Sequence, residues 1–325
     1  MAAARPFRFA VQAFDASSAE AWRETARRAE ANGYSALHLA DHFLGPGPAL
    51  EKTNHPLQTL AAVPAMAVAA EATETLRVGC RVFCIDYRLP VVLAKEAATL
   101  DLLSDGRLEL GLGAGWLASE YQAAGIAFDR PGVRIERLGE VVRAVKAFCG
   151  GEPLELDGAH LRWSGFSGSP RPVQRPWPPI MIGGGGRRVL ELAGREADIV
   201  SLNFNNRSGV LGPEGVKSST SDLTAEKLRW VREAAGDRAP ELEIEIGAYF
   251  TFVTEQPGPI IEGLAGAFGL SPDELRAHPH GLFGPPNQIA EELERRREAY
   301  GISYVTVGAD VADAFAPGVA RLSGK

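Results

Sequence analysis

Eight short apolar segments with the character of β-strands recur along this chain, and helical stretches separate most of them. They lie at Phe7–Ala13, Ser35–Ala40, Leu76–Phe83, Arg107–Gly111, Pro179–Ile182, Ile199–Asn203, Leu242–Val253 and Tyr304–Val307. Ser17-Ser18-Ala19-Glu20 has the capping-box pattern and opens a helix that closes before Gly33. Leu57–Thr73 is alanine-rich and helical, with Pro64 as its kink or break, and Pro90 opens a helix to about Leu103. Ile135, Leu138, Val142, Val145 and Phe148 fall at helical spacing, and further helices are expected at Arg187–Glu196, Leu223–Ala235, Pro286 to Gly301 and Ala312–Leu322. Strand–helix alternation implies parallel strands, because each crossover helix returns the chain to the same end of the sheet. Eight such units fit a closed barrel better than an open sheet, which places the chain in the α/β class as a TIM-like (β/α)8 barrel.

No Gly/Ser linker or composition break divides the chain, so residues 1–325 are expected to form one barrel domain. Insertions are expected near 150–178, 205–222 and 255–285. Segments this long are usually functional, and on a barrel they are expected at the C-terminal rim of the strands, where active sites are built.

Charge narrows the partners. A net charge of −7, with no basic stripe interleaved with aromatics, argues against nucleic acid. The longest apolar stretch, roughly Leu60–Ala70, contains Pro64 and stops at Glu71, too short to span a bilayer. The segment Met-Ala-Ala-Ala-Arg-Pro lacks the apolar core of a signal peptide, and the three cysteines show no CxxC spacing. A cytoplasmic protein acting on a small molecule, with its cysteines serving as packing residues, is the simplest expectation.

Three constellations can carry chemistry. Asp41-His42 ends the second strand, and a carboxylate beside an imidazole can orient it for proton transfer. A capping Asp and a structurally satisfied His is the alternative on the residues alone. His38 and His42 are four apart, but on a strand that separates them by about 13 Å, so a zinc pair is rejected. The second constellation runs Gly111-Leu-Gly113-Ala-Gly115-Trp116, where glycine lets backbone approach a ligand closely. The third is Gly183-Gly184-Gly185-Gly186-Arg187-Arg188, a strand feeding four glycines that open a helix. Free N–H groups and the helix dipole make an anion site there, suited to a cofactor phosphate.

Weaker features are Glu120-Tyr121, which face a pocket or simply start a helix, Arg134 and Glu136 as surface ion-pair residues, and His278-Pro279-His280 in an exposed loop. No nucleophile elbow, CxxC pair or HExxH motif is present, so no hydrolase or metal site is expected.

These segments together resemble the luciferase-like monooxygenase superfamily, and within it the coenzyme F420-dependent oxidoreductases. The resemblance rests on Ala40-Asp41-His42-Phe43, on Arg88-Leu89-Pro90 with Leu93–Asp101, and on Ser104-Asp105-Gly106-Arg107 running into Gly111–Trp116. Glu120-Tyr121, Gly125, Phe128, Ile182–Gly186 and Ala197-Asp198 add to it. It covers roughly residues 7–204 and the last strand and helix, and nothing usable between 205 and 300.

The resemblance implies a cofactor ring in the barrel mouth and its phosphate on the glycines after the fifth barrel strand. Asp41 and His42 would be catalytic: His42 exchanging a proton with the substrate oxygen, Asp41 assisting. Trp116 would wall the ring pocket together with Gly113 and Gly115, and Gly183, Gly184, Gly185, Gly186 and Arg187 would hold phosphate. Relatives often carry a non-proline cis peptide late in the third strand, here near Arg81-Val82, against the ring. Arg81 is larger than the residues common at that place, and Asp105 stands where many relatives have Gly. F420 is the expected cofactor and a homodimer the expected assembly. An FMN-dependent monooxygenase on the same barrel and a non-catalytic flavin-binding barrel are the alternatives.

Overall fold

The computed structural model describes residues 5–325. Twelve strands occur among them: β1 Arg8–Gln12, β2 Ala36–Leu39, β3 Arg77–Cys84, β4 Leu108–Gly113, β5 Pro153–Asp157, β6 Arg162–Ser167, β7 Ile180–Gly184, β8 Ile199–Leu202, β9 Glu243–Gly247, β10 Phe250–Val253, β11 Gly281–Gly284 and β12 Ile302–Gly308. Eight of them close a barrel in the order β1-β2-β3-β4-β7-β8-β9-β12, every pair parallel. All eight strand segments read from the sequence take part.

Period-2 alternation divides the strands' side chains between two cores. Leu108, Leu110 and Leu112 of β4 are fully buried in the large core between the barrel and its helices. Inside the barrel, Ala10, Ala36, Met181, Ile199 and Tyr304 pack together with Val82. Charged groups fill the end nearer the strand starts. The Arg8 guanidinium lies 3.6 Å over the Tyr304 ring, and the Tyr304 hydroxyl donates to Glu109 at 2.8 Å. Burial opposes ionisation of Glu109, yet Arg8 and His38 together hold its carboxyl well below the ordinary range. His38 is thus an interior residue, bonded to Glu109 and Tyr304.

Local chemistry explains where elements begin and end. Pro90 opens the helix Pro90–Leu103 at N1, and Asp105 (φ 53°) and Gly106 (φ 78°) turn the chain into β4 through the left-handed region. In the first helix, Ala19–Ala31, Ser18 rather than Ser17 is the cap, accepting from the Ala21 N–H. Glu20 does not complete a capping box, because it pairs with Arg23 and Arg27.

Other expectations are corrected by the structure. The alanine-rich helix is Ala62–Glu71, so Pro64 sits in its first turn, where the missing N–H breaks no bond, and makes no kink. The expected long strand Leu242–Val253 is two strands: β9 stays in the barrel, and β10 leaves it to pair in parallel with β11. The 150–178 segment carries the antiparallel hairpin β5–β6 and does not reach the C-terminal rim. It follows a helix rather than a strand, so it lies by the strand starts, where Gln174 bonds Asp101, Arg77 and the Leu108 carbonyl. His278 and His280 are buried rather than exposed. His278 Nε2 donates to the Val216 carbonyl at 3.0 Å, and His280 Nδ1 donates to the Gly247 carbonyl at 2.7 Å.

Candidate active site

A cavity of about 1800 Å³ opens at the C-terminal ends of the barrel strands. That is large beside the usual small-molecule pocket of roughly 300–1,000 Å³. Asp41, His42, Arg81, Val82, Gly113, Gly115, Trp116 and Gly183 to Gly186 all line it. Arg187 does not. The first turn of its helix points it outward, where it pairs with Glu191 at 2.7 Å, and Arg188 lines the cavity instead.

The floor is made by Val82. The Arg81–Val82 peptide is cis, and the register of β3 against β4 slips between Cys80 and Phe83. Val82 thereby faces the barrel axis over glycines of two other strands. A Cβ at Gly113 would stand 2.5 Å from its side chain and one at Gly183 3.1 Å. Beside it, Arg81 is buried and neutralised by Glu245 at 2.9 Å, with a further bond to the Tyr249 hydroxyl at 3.0 Å.

His42 does not meet Asp41. The Asp41 carboxylate is held by both Arg88 nitrogens at 2.7 Å and by the Cys84 N–H at 2.9 Å. Burial pushes its carboxyl up even against that arginine. The partner of His42 is Glu120, whose Oε2 lies 2.7 Å from Nδ1. Glu120 has a fully buried side chain and also accepts from the Tyr87 hydroxyl at 2.7 Å and the Phe43 N–H at 2.6 Å. Burial favours its neutral form, but His42 and these donors outweigh that and hold the carboxyl below the ordinary range. An ionised carboxylate only accepts, so Nδ1 carries a proton in this pair and Nε2 is the atom left to exchange one.

Aromatic rings fix the imidazole in place. Trp116 meets it edge-on at 5.8 Å between centroids, and His55 lies 4.3 Å from it on a tilted plane. Burial and the neighbouring His42 press the His55 pKa down to about 4. Trp116 is placed by Gly115, whose φ of +72° and contact with the Tyr121 hydroxyl leave no room for a side chain. Arg134 is a buried clamp rather than a surface residue: it donates to the Ala114, Gly115 and Asp129 carbonyls.

On the opposite side the four glycines differ in their reasons. Gly185 is pressed against the Asn203 and Phe204 carbonyls, so packing alone demands it. A methyl group placed on Gly186 would meet nothing within 4 Å, and this glycine is the N-cap of the helix Arg187–Glu196 without a side-chain cap bond. The first-turn N–H groups are thereby left without a side-chain acceptor beside an open cradle, which fits a phosphate-bearing cofactor. Glu120 left one trace in the sequence, its position just past the glycine–tryptophan turn. Arg188 was part of the glycine–arginine run, though which of the two arginines faces the cavity was not readable; His55 and Tyr87 left no trace, because each depends on long-range placement.

The family model for luciferase-like monooxygenases matches residues 5–210. The chain is 26% identical over 247 residues to an FMNH(2)-dependent dimethylsulfone monooxygenase of Pseudomonas fluorescens, covering 67% of this chain and 65% of that protein. It is 31% identical over 176 residues to an F420-dependent glucose-6-phosphate dehydrogenase of Amycolatopsis mediterranei, 54% of this chain and 50% of the relative. The chain thus spans less than two thirds of the length of these relatives. The solved F420-dependent tetrahydromethanopterin reductase of Methanopyrus kandleri superposes with a TM-score of 0.72 at 17% identity, over 97% of this chain and 96% of that one. Relatives using F420 and relatives using FMN therefore both occur around this sequence, and the chain belongs to the luciferase-like monooxygenase family.

Proposed function

We propose that this protein is a coenzyme F420-dependent oxidoreductase, a single barrel that moves hydride between the deazaflavin and a small organic substrate. The observation that carries the reading is His42, held from behind by the buried Glu120, facing the same cavity as the open backbone at Gly186. Hydride transfer to or from a carbon bearing oxygen leaves a proton to be moved at that oxygen, and a positioned imidazole does this well.

When bound, the deazaflavin supplies the hydride-accepting or hydride-donating ring. The chain's own residues do the rest. His42 Nε2 takes the substrate hydroxyl proton in the oxidising direction or returns it in the reducing one. Glu120 keeps the ring in the Nδ1–H tautomer and offsets the charge that forms on it. The open backbone at Gly186 would admit the phosphate, and Arg188, which lines the cavity beside it, would add a charge-assisted donor. Asp41 acts through Arg88, fixing the loop that carries His42. Val82, which lines the cavity from inside the barrel, would lie beneath the ring.

The second reading is an FMN-dependent monooxygenase, favoured by the 247-residue match to the dimethylsulfone enzyme. The glycine cradle serves either phosphate. The test is to incubate the purified protein with oxidised F420 and a panel of alcohols, following loss of the cofactor's visible absorbance. Turnover supports the proposal. Oxygen consumption that depends on supplied FMNH2, with no F420 turnover, overturns it.

A further inference from the structure

Charge is divided unevenly around the cavity mouth. Arg130, Arg188 and Arg207 line it from the connections after β4, β7 and β8, with Glu136 the one carboxylate lining that arc, and among the described residues none of the three is paired with a carboxylate. That arc includes the glycine cradle. After β9 the character changes. Every cavity-lining residue from Ala248 to Phe268 is uncharged, and Phe250, Phe252, Val253, Ile260 and Phe268 supply most of that wall.

Resting on the reading that the cofactor's phosphate lies on the glycine side, we propose that the substrate is an uncharged alcohol or ketone with an apolar body. Its body lies against the wall formed by residues 248–268.

The wall is a built feature rather than a stray apolar patch. Ile261, Ala265, Leu275 and Phe283 form their own small core beneath it, separate from the barrel core. On that base the helix Gly258–Phe268 turns Ile260 and Phe268 toward the cavity, and the Phe268 ring meets that of Phe250 at 5.0 Å. Phe252 stacks on Phe283 with planes 4° apart and stays 37% exposed while facing the cavity. A volume of about 1800 Å³ leaves room for a second molecule beside a cofactor ring.

The remaining charges on this side disfavour an anion. The charge of Arg81 is balanced by Glu245 although its Nη2 has no hydrogen-bond partner among the described residues, and Asp310, which lines the cavity after β12, has no cationic partner among them. An anionic substrate would therefore be desolvated here against aromatic rings and a carboxylate. A neutral apolar body gains from the same burial. The balanced step is oxidation of the carbinol carbon. Its C–H leaves as hydride to the oxidised deazaflavin, its O–H proton passes to His42 Nε2, and a ketone results.

The test measures binding to the cofactor-free protein by titration calorimetry, with 2-octanone, octanoate and octylammonium as matched probes. The expected result is 2-octanone binding at least about tenfold tighter than either ion. Phe252→Asp and Phe268→Asp should each weaken 2-octanone by about tenfold or more, with an unchanged thermal melt for the exposed Phe252→Asp as the folding control. Octanoate or octylammonium binding as tightly as 2-octanone, no binding of 2-octanone, or indifference of a folded Phe252→Asp would each overturn the proposal. These probes need no cofactor, so failure of F420 to bind in a separate titration is a distinct result and counts against the cofactor reading alone.

Discussion

His42 and Glu120, 78 residues apart in the chain, meet through Nδ1 and Oε2 at 2.7 Å. The neighbour in sequence, Asp41, is instead committed to Arg88. Glu120→Gln keeps an acceptor for the Phe43 N–H but removes the charge that fixes the imidazole tautomer. Hydride transfer should slow by about 10²-fold or more with cofactor affinity nearly unchanged. Stopped-flow turnover with parallel cofactor titrations checks this, and an unchanged rate removes Glu120 from the mechanism.

The arginines at the head of the phosphate-side helix should separate cleanly. Arg188→Ala should weaken cofactor binding by about tenfold, the loss of one charge-assisted bond. Arg187→Ala should leave it within about twofold, because that side chain is engaged with Glu191 outside the cavity. Fluorescence titration of both variants decides between them.

The floor is sensitive to single methyl groups. Gly113→Ala forces Val82 to move, since the added Cβ would lie 2.5 Å from it. A stability loss of about 1–3 kcal/mol is expected, together with weaker cofactor binding. Gly186→Ala meets no atom within 4 Å and should cost only about 0.5–1 kcal/mol, the loss of a favourable N-cap residue, with no shift of Val82. Urea denaturation of the pair measures the contrast.

Acid should destabilise the protein through His278. In the fold its Nε2 donates to the Val216 carbonyl and its Nδ1 accepts from the His280 N–H, so a second ring proton has nowhere to go. Burial, joined by the nearby charges of Arg296 and Lys227, lowers its pKa from 6.5 to about 4 even against the bond to Val216. The unfolded chain therefore takes up the proton first, and stability drains away as pH falls from about 6.5 towards 4. At about 1.4 kcal/mol per pH unit this reaches roughly 3 kcal/mol. His278→Gln, which keeps the donor to Val216, should flatten that slope in denaturation curves taken between pH 7 and 4.

The barrel was legible because its signal is repetitive: eight apolar runs separated by capped helices need only local periodicity. The run of four glycines stood out in the sequence, but packing accounts for three of them: Gly183 and Gly184 end β7 against Val82 and Val189, Gly185 abuts the Asn203 and Phe204 carbonyls, and Gly186 alone is open. What sequence adjacency misassigned is set by side-chain direction. Asp41 and His42 are neighbours just past the end of β2, yet each found a partner from the connection after another strand, Arg88 after β3 and Glu120 after β4. Arg187 and Arg188 divide the same way on a helix, where adjacent residues sit about 100° apart. Glu120 became a partner of His42 only when β2 and β4 entered one barrel, and the wall after β9 appeared only when β10 left it.

Cofactor identity can be read from one titration, in which the purified protein is mixed separately with F420 and with FMN while tryptophan fluorescence is followed through Trp116 at the cavity wall. Micromolar quenching by F420 with no response to FMN is the expected result. Saturable binding of FMN with no response to F420 would contradict it.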